Sequence, residues 1–270
     1  MTAENFRTRR RRRKCFFCVS FADGAGHNGR VIGAYLNALG ILLGALAGLA
    51  WRGGFSLRTQ NFLKSALGAF TAFFGLRLVW ENIGGSFPAC GRQLALALLA
   101  VILGNWLGRL MGLQKISNRL GHQAAGVLAA AQKNPPGRTG DGLAAVTVLF
   151  CAAPLGLAGA VTDGLADFFQ LLAVKAVMDG LAMMSFVKLF RWPVALAALP
   201  VFIFVNALSF AVRLGARPWL EAHALAGAVG VTAGLLACTM ALVILELRRV
   251  ELANYLPALA VAPLLAWLLV

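Results

Sequence analysis

Charge is what this chain lacks. Of its 270 residues only 25 are Lys or Arg and 10 are Asp or Glu, 13 % together, where a water-soluble domain carries nearer a quarter. That shortage excludes an ordinary soluble fold. Histidine is scarce too: His27, His122 and His223 fall in a tail and two separate loops, so they cannot meet as a metal triad. The cysteines Cys15, Cys18, Cys90, Cys151 and Cys238 are odd in number. Cys15-x-x-Cys18 has metal or redox spacing, but no second CxxC or histidine pair completes a site. No Walker loop is present, which argues against nucleotide-driven pumping within this chain. The chain is therefore read as non-enzymatic, with no cofactor and no metal.

What is present is apolar. Hydrophobic residues make up 60 % of the chain, the mean hydropathy is +0.77, and 30 residues are glycine. Stretches of about 20 apolar residues recur, each long enough to cross ~30 Å of hydrocarbon as a helix. The pattern predicts eight spans, at 31–51, 60–80, 92–112, 142–162, 167–187, 193–213, 225–245 and 252–270. The expected fold is all-α, a polytopic transmembrane helix bundle forming one domain over 31–270. Its longest non-spanning stretch is 113–141, an inner linker with a short interfacial helix followed by the turn-rich Asn134-Pro-Pro-Gly-Arg-Thr-Gly-Asp141.

The formal charge of +15 invites a nucleic-acid reading, but its placement argues against one. With the 51–60 loop inside, alternation puts 12 basic residues in the inner loops and three, Arg92, Arg213 and Arg217, in the outer ones. That bias follows the positive-inside rule and places both termini outside. The tail at 1–30 conflicts with it, since Arg7 and Arg9 to Lys14 would then lie across the membrane. The expectation is that residues 1–30 come from an upstream start choice and that the functional protein begins near Val31.

Glycine recurs every fourth residue at Gly40, Gly44 and Gly48 in span 1 and at Gly104, Gly108 and Gly112 in span 3. Such faces allow close backbone approach, either within the chain or as a seam for a second copy. Tyr35-Leu-Asn37-Ala-Leu39 in span 1 matches Phe204-Val-Asn206-Ala-Leu208 in span 6. Ser65-Ala-Leu-Gly68 matches Gly227-Ala-Val-Gly230. An inverted repeat of spans 1–3 and 6–8 would put them antiparallel, the construction of many secondary transporters. Pro154, Pro200, Pro257 and Pro263 lie in spans 4, 6 and 8, where each removes a helical hydrogen bond.

The sharpest local signal is Lys175 and Asp179, four residues apart on one face of span 5 and near the bilayer centre. An unpaired charge there costs at least ~2.5 kcal/mol, so the two must pair or face water. One reading is a proton- or ion-coupling site in which protonating Asp179 releases Lys175; the other is a structural pair that fixes helix packing. Asn37, Asn105 and Asn206 are uncharged polar groups at similar depth, able to ligate a solute or to bond a neighbouring helix. Arg77 is expected to snorkel to the outer interface. Glu246 and Glu251 are expected to form a solvated cluster with Arg248 and Arg249.

Three strings carry a family likeness: Leu149-Phe-Cys-Ala-Ala-Pro-Leu-Gly-Leu-Ala-Gly-Ala-Val-Thr-Asp-Gly-Leu165, Leu171-Leu-Ala-Val-Lys-Ala-Val-Met-Asp-Gly-Leu181, and Glu251-Leu-Ala-Asn-Tyr-Leu-Pro-Ala-Leu-Ala-Val-Ala-Pro-Leu264. With Tyr35-Leu-Asn-Ala-Leu39 as its opening, the chain resembles the YdfK/YqgA-like bacterial integral membrane proteins (domain of unknown function 554). The resemblance implies a bacterial inner (cytoplasmic) membrane address and puts Asp163, Lys175, Asp179, Asn254 and Pro257 at motif positions. Arg109 stands where the family often has an acidic residue, so no carboxylate role carries over there.

Together these features predict a secondary transporter or ion-coupled permease for a small solute. Lys175, Asp179, Asp163, Asn37, Asn206 and Asn254 are its candidate coupling or binding residues. The alternative is a non-transporting membrane scaffold or partner protein. The expected partners are the lipid bilayer, a small solute or ion and a second copy through the glycine faces, with no nucleic acid.

Overall fold

The computed structural model describes residues 32–51, 53, 55–133, 139–248 and 250–269. The tail at 1–30, with its CxxC, the Asn134–Arg138 turn region and Arg249 lie outside the described residues. No strand occurs among those that are described. Among the described residues eleven α-helices run as α1 Ile32–Ala50, α2 Leu57–Asn82, α3 Phe87–Leu110, α4 Leu113–Lys133, α5 Thr139–Cys151, α6 Pro154–Ala166, α7 Gln170–Phe190, α8 Ala198–Ala211, α9 Arg217–Ala222, α10 Ala226–Ile244 and α11 Ala258–Leu269. The chain is thus an all-α membrane protein with several spans.

Side chains such as Leu43, Leu46, Phe70, Phe73, Ile102 and Trp106 are exposed. An apolar surface that extensive is a liability in water and is the expected exterior in lipid. α2 and α3 show most of it, whereas α7 and α10 are the most enclosed spans. α7 is buried on two sides. Leu172, Met183 and Val187 pack with α1, α5 and α8, while Leu171 and Val174 pack with α2, α6, α10 and α11.

Glycine sets the closest approaches. Gly40, Gly44 and Gly48 of α1 lie against Ala176, Gly180 and Met184 of α7 in one ascending register. A methyl added at Gly48 would sit 2.7 Å from the Met184 Cα. Gly75 of α2 and Gly234 of α10 face one another, and Gly104 and Gly108 of α3 face Ala258 and the Asn254 backbone. The glycine stripes are therefore occupied within the chain. Gly112 is not part of the stripe: α3 ends at Leu110, and Gly112 takes φ +65° to turn the chain into α4.

That register also counts the crossings. Ascending contacts mean α1 and α7 run parallel, whereas α2–α10 and α3–α11 contacts run in opposite directions. Between α1 and α7 stand α2, α3, the amphipathic α4 and the pair α5–α6, which is bent by 56° at residues 152–153. Parallel α1 and α7 require an odd number of crossings between them, so α5–α6 traverses as one broken span rather than re-entering. Counted this way, the described residues supply eight crossings, the upper count that helix length and composition allow.

Several boundaries differ from the sequence reading. The interfacial helix expected in 113–141 is one continuous 21-residue helix, α4. The sixth span extends from Trp192 to Ala222 through a 3-10 turn, α8, a π-turn at Val212–Ala216 and α9. Pro88, Pro154 and Pro218 stand in the first turns of α3, α6 and α9, where the missing N–H costs nothing. Of the four expected kinking prolines, Pro263 lies inside its helix, α11, and Pro257 precedes that helix.

Candidate functional site

Lys175 and Asp179 lie in the second and third turns of α7, about 8 Å and 14 Å along the helix from Gln170. Asp179 is at mid-helix, and Lys175 is nearer the Gln170 end than the sequence reading placed it. They are 1 % and 6 % exposed and form a hydrogen-bonded ion pair, Nζ to Oδ2. Two surroundings favour the cation. The Lys175 stem covers Gly156 in the first turn of α6, and its Nζ stands 5.6 Å from the Phe150 ring centroid at the C-terminal end of α5. An aromatic face and a helix C-terminus both attract positive charge.

The break between α5 and α6 faces this pair. Pro154 has no N–H, so the Phe150 carbonyl loses its helical donor. A cavity of about 330 Å³ opens at the break. Ser117 and Gly121 of α4 bound it on one side, Phe150 and Pro154 at the break, and Met178 and Asp179 of α7 on the other. Asp179 therefore stands between the cavity and Lys175. A second cavity of about 550 Å³ shares Met178 and Ala182 with the first and is lined by Gln60, Lys64, Ser185 and Lys188.

Of the other predicted residues, Asn37 comes to the pair. It is fully buried on the face of α1 that meets α7 and lies alongside Asp179. Neither of its amide atoms has hydrogen-bond geometry to any partner among the described residues. Asp163 does not join them. Its Oδ2 accepts the Gly33 N–H at 3.1 Å, capping the first turn of α1 from α6. Gly156, the residue under Lys175, is about 10 Å away along the same helix. Asn206 is half-buried on α8 with its Oδ1 unpartnered, and Asn105 has an unpartnered Oδ1 on α3.

Asn254 belongs to a different assembly. Its Oδ1 accepts the Gln114 N–H at 3.0 Å, its Nδ2 donates to Glu251 at 2.8 Å, and the Ala253 N–H donates to Gln114 Oε1 at 3.2 Å. It clamps the start of α4 to the 3-10 turn before α11. The expected Glu246–Glu251–Arg248 cluster is also resolved differently: Glu246 pairs with Lys64 at 2.6 Å, and Glu251 lies 3.8 Å from Arg109. Lys64 beside it holds the exposed Glu246 carboxyl below the usual range. Arg77 pairs with Glu81 at 2.6 Å on α2.

At the opposite end of the bundle Asp167 closes α6 in the left-handed conformation, φ 54°. It lies 3.1 Å from both Arg213 and Arg217, and Arg217 also binds Glu221 at 2.7 Å. In sequence Arg213 and Arg217 read only as outer-loop charges. The spacing of Arg217 and Glu221, four residues apart, was the available signal for helix.

Residues 32–267 match the family described as "Protein of unknown function (DUF554)". The chain is 28 % identical over 233 residues to the "Uncharacterized protein YqgA" of Escherichia coli (strain K12), covering 86 % of this chain and 94 % of that one. It is 21 % identical over 247 residues to the "Uncharacterized membrane protein YdfK" of Bacillus subtilis (strain 168), covering 88 % and 97 %. No solved structure matches the chain.

Proposed function

We propose a transport function for this chain, which belongs to the DUF554 family of proteins of unknown function: ion-coupled permeation of a small solute, without enzymatic chemistry. The observation that carries this reading is the buried Lys175–Asp179 pair beside a cavity at a broken span. A pair kept only for packing needs no space next to its carboxylate. Discontinuous helices at the midplane are where transporters expose backbone dipoles to solute and ion. The contacts of α1 with α8, α2 with α10 and α3 with α11 fit the pairs of an inverted repeat. The fit is incomplete, because α3 also packs on α10 while α2 and α11 have no comparable contact.

The membrane in this reading is a bacterial inner membrane. Arg58, Lys64, Lys115, Arg119, Lys188 and Arg191 lie at the α4 end of the bundle, so positive-inside bias makes that end cytoplasmic and puts both termini outside. The cavity at Asp179 then opens toward the cytoplasm. A scaffold role fits less well, since the glycine faces are already used inside the chain.

The test is accumulation of labelled small solutes in membrane vesicles that contain the protein, driven by an imposed pH gradient. Gradient-dependent uptake that disappears in Asp179→Asn supports the reading. Unchanged uptake in the Lys175→Ala, Asp179→Ala double variant removes the pair as the coupling site.

A further inference from the structure

We propose that the solute is a small anion and the coupling ion a proton, with Asp179 taking the proton and the anion replacing the Asp179 carboxylate as the partner of Lys175. This rests on the transport reading above. The site holds one buried cation and one buried anion, and a buried charge stripped of its partner is strongly unfavourable. Protonating Asp179 alone would leave Lys175 unpaired in a low dielectric. An anion entering alone would meet the Asp179 carboxylate at the cavity wall. The two events together keep the site neutral, so each favours the other by reciprocal linkage. No covalent bond changes: the Lys175 Nζ–Asp179 Oδ2 contact is exchanged for one between Nζ and the anion, and the proton resides on the carboxyl.

Three further features set the sign. The N-terminal turn of α6, beginning at Pro154, borders the cavity, and a helix N-terminus favours an anion. The adjoining cavity is lined by Lys64 and Lys188, and Asp179 is the one carboxylate lining either cavity among the described residues. The C-terminal end of α5 and the Phe150 ring, both attractive to positive charge, border the Lys175 Nζ that the anion would meet. The cavity of about 330 Å³ has room for a few waters or a small anion.

The groups facing Asp179 are few. Lys175 comes from its own helix and Asn37 from α1, and the Cys151 thiol at the end of α5 is the nearby titratable group from that helix. α6 presents Gly156 and the helix break, and α4 presents Ser117 and Gly121 across the cavity. From α2, Lys64 lines the adjoining cavity and is paired with Glu246. Among the described residues Lys175 is the charged side chain that bears on Asp179, so a single proton site is expected.

The experiment is calorimetric titration of the purified full-length protein in two buffers of different ionisation enthalpy, which counts protons exchanged. The probes are choline acetate, lactate, chloride and nitrate, with sodium, potassium and methylammonium sulfates as the cation set. The expected result is an anion that binds with uptake of one proton and about tenfold more tightly per unit fall in pH, the slope of a one-proton linkage. In Asp179→Asn the anion should bind without proton uptake and independently of pH. The proton count on the unaltered protein decides the matter even if that variant does not accumulate. A cation that binds with proton release, lost in Asp179→Asn, overturns the anion and leaves ion-coupled transport standing. No proton exchange with any probe overturns the inference, and the transport reading is then decided separately by the vesicle uptake assay.

Discussion

Lys175–Asp179 and Arg217–Glu221 are the same local motif, a cation followed four residues later by a carboxylate on one helix, set in opposite surroundings. The first pair is 2 % and 9 % exposed at its side chains, the second 27 % and 54 %. Arg217 shares its charge with Asp167, and Arg213 joins from the π-turn, so no single partner is indispensable there. Lys175 has Asp179 as its ion-pair partner. Motif and spacing are equal; burial alone makes one of them a place where losing a partner strands a charge out of reach of water.

The comparison breaks most visibly if one partner is removed from the buried pair. Asp179→Ala should cost about 3–5 kcal/mol, because it leaves an uncompensated buried cation. Thermal unfolding in detergent would register this as a large fall in midpoint. The Lys175→Met, Asp179→Leu double variant should regain most of that loss, since an apolar pair of similar volume suits the site. Failure to regain it would mean that the pair organises the fold beyond its own charges.

Next in size is the packing of α1 against α7 beside the pair. A leucine at position 44 cannot fit against Gly180, so Gly44→Leu should cost at least 1–3 kcal/mol, roughly the overpacking range. It should also admit thiol reagents to Cys151, which ends α5 next to Phe150, the ring beside Lys175. Labelling of Cys151 by a membrane-permeant maleimide measures this, and unchanged labelling would separate α1 packing from access to the pair.

Arg217→Ala at the exposed cluster should change stability by less than about 1 kcal/mol. The difference should shrink further in high salt, as it does for charges open to solvent. A loss comparable to that of Asp179→Ala would collapse the comparison. Smallest of all is Glu246, where Lys64 depresses the carboxyl of an exposed group. A lowered carboxylate pKa adds stability above its unfolded value and loses it as pH falls through the folded one. Glu246→Gln should therefore be silent at acid pH and at most slightly destabilising at neutral pH, read from melting midpoints across a pH series.

Much of the architecture is legible in local pattern. Apolar runs of about 20 residues, their count, the break at Pro154 and the pairing of Lys175 with Asp179 all depend on neighbours within one or two turns. The contact of Asp163 with Gly33 is not of that kind. It joins residues 130 positions apart, and no spacing rule links a carboxylate in one helix to an unsatisfied N–H at the start of another. Asn254 was misleading for the same reason: its partner Gln114 is 140 residues distant. α4 was read as shorter than it is because its tertiary neighbours, α5 and the turn before α11, give its apolar face something to cover.

By itself, then, the sequence determined that this chain is a helical membrane protein and that one span carries two charges which must answer each other, because hydration cost and helix periodicity are properties of short segments. Only the tertiary structure decided that α1 runs parallel to α7 on a glycine seam, that Asn37 and not Asp163 or Asn254 stands beside the pair, and that a cavity opens on Asp179. Those outcomes depend on which helix faces meet, and helices that are equally apolar can meet in many ways until close packing selects one.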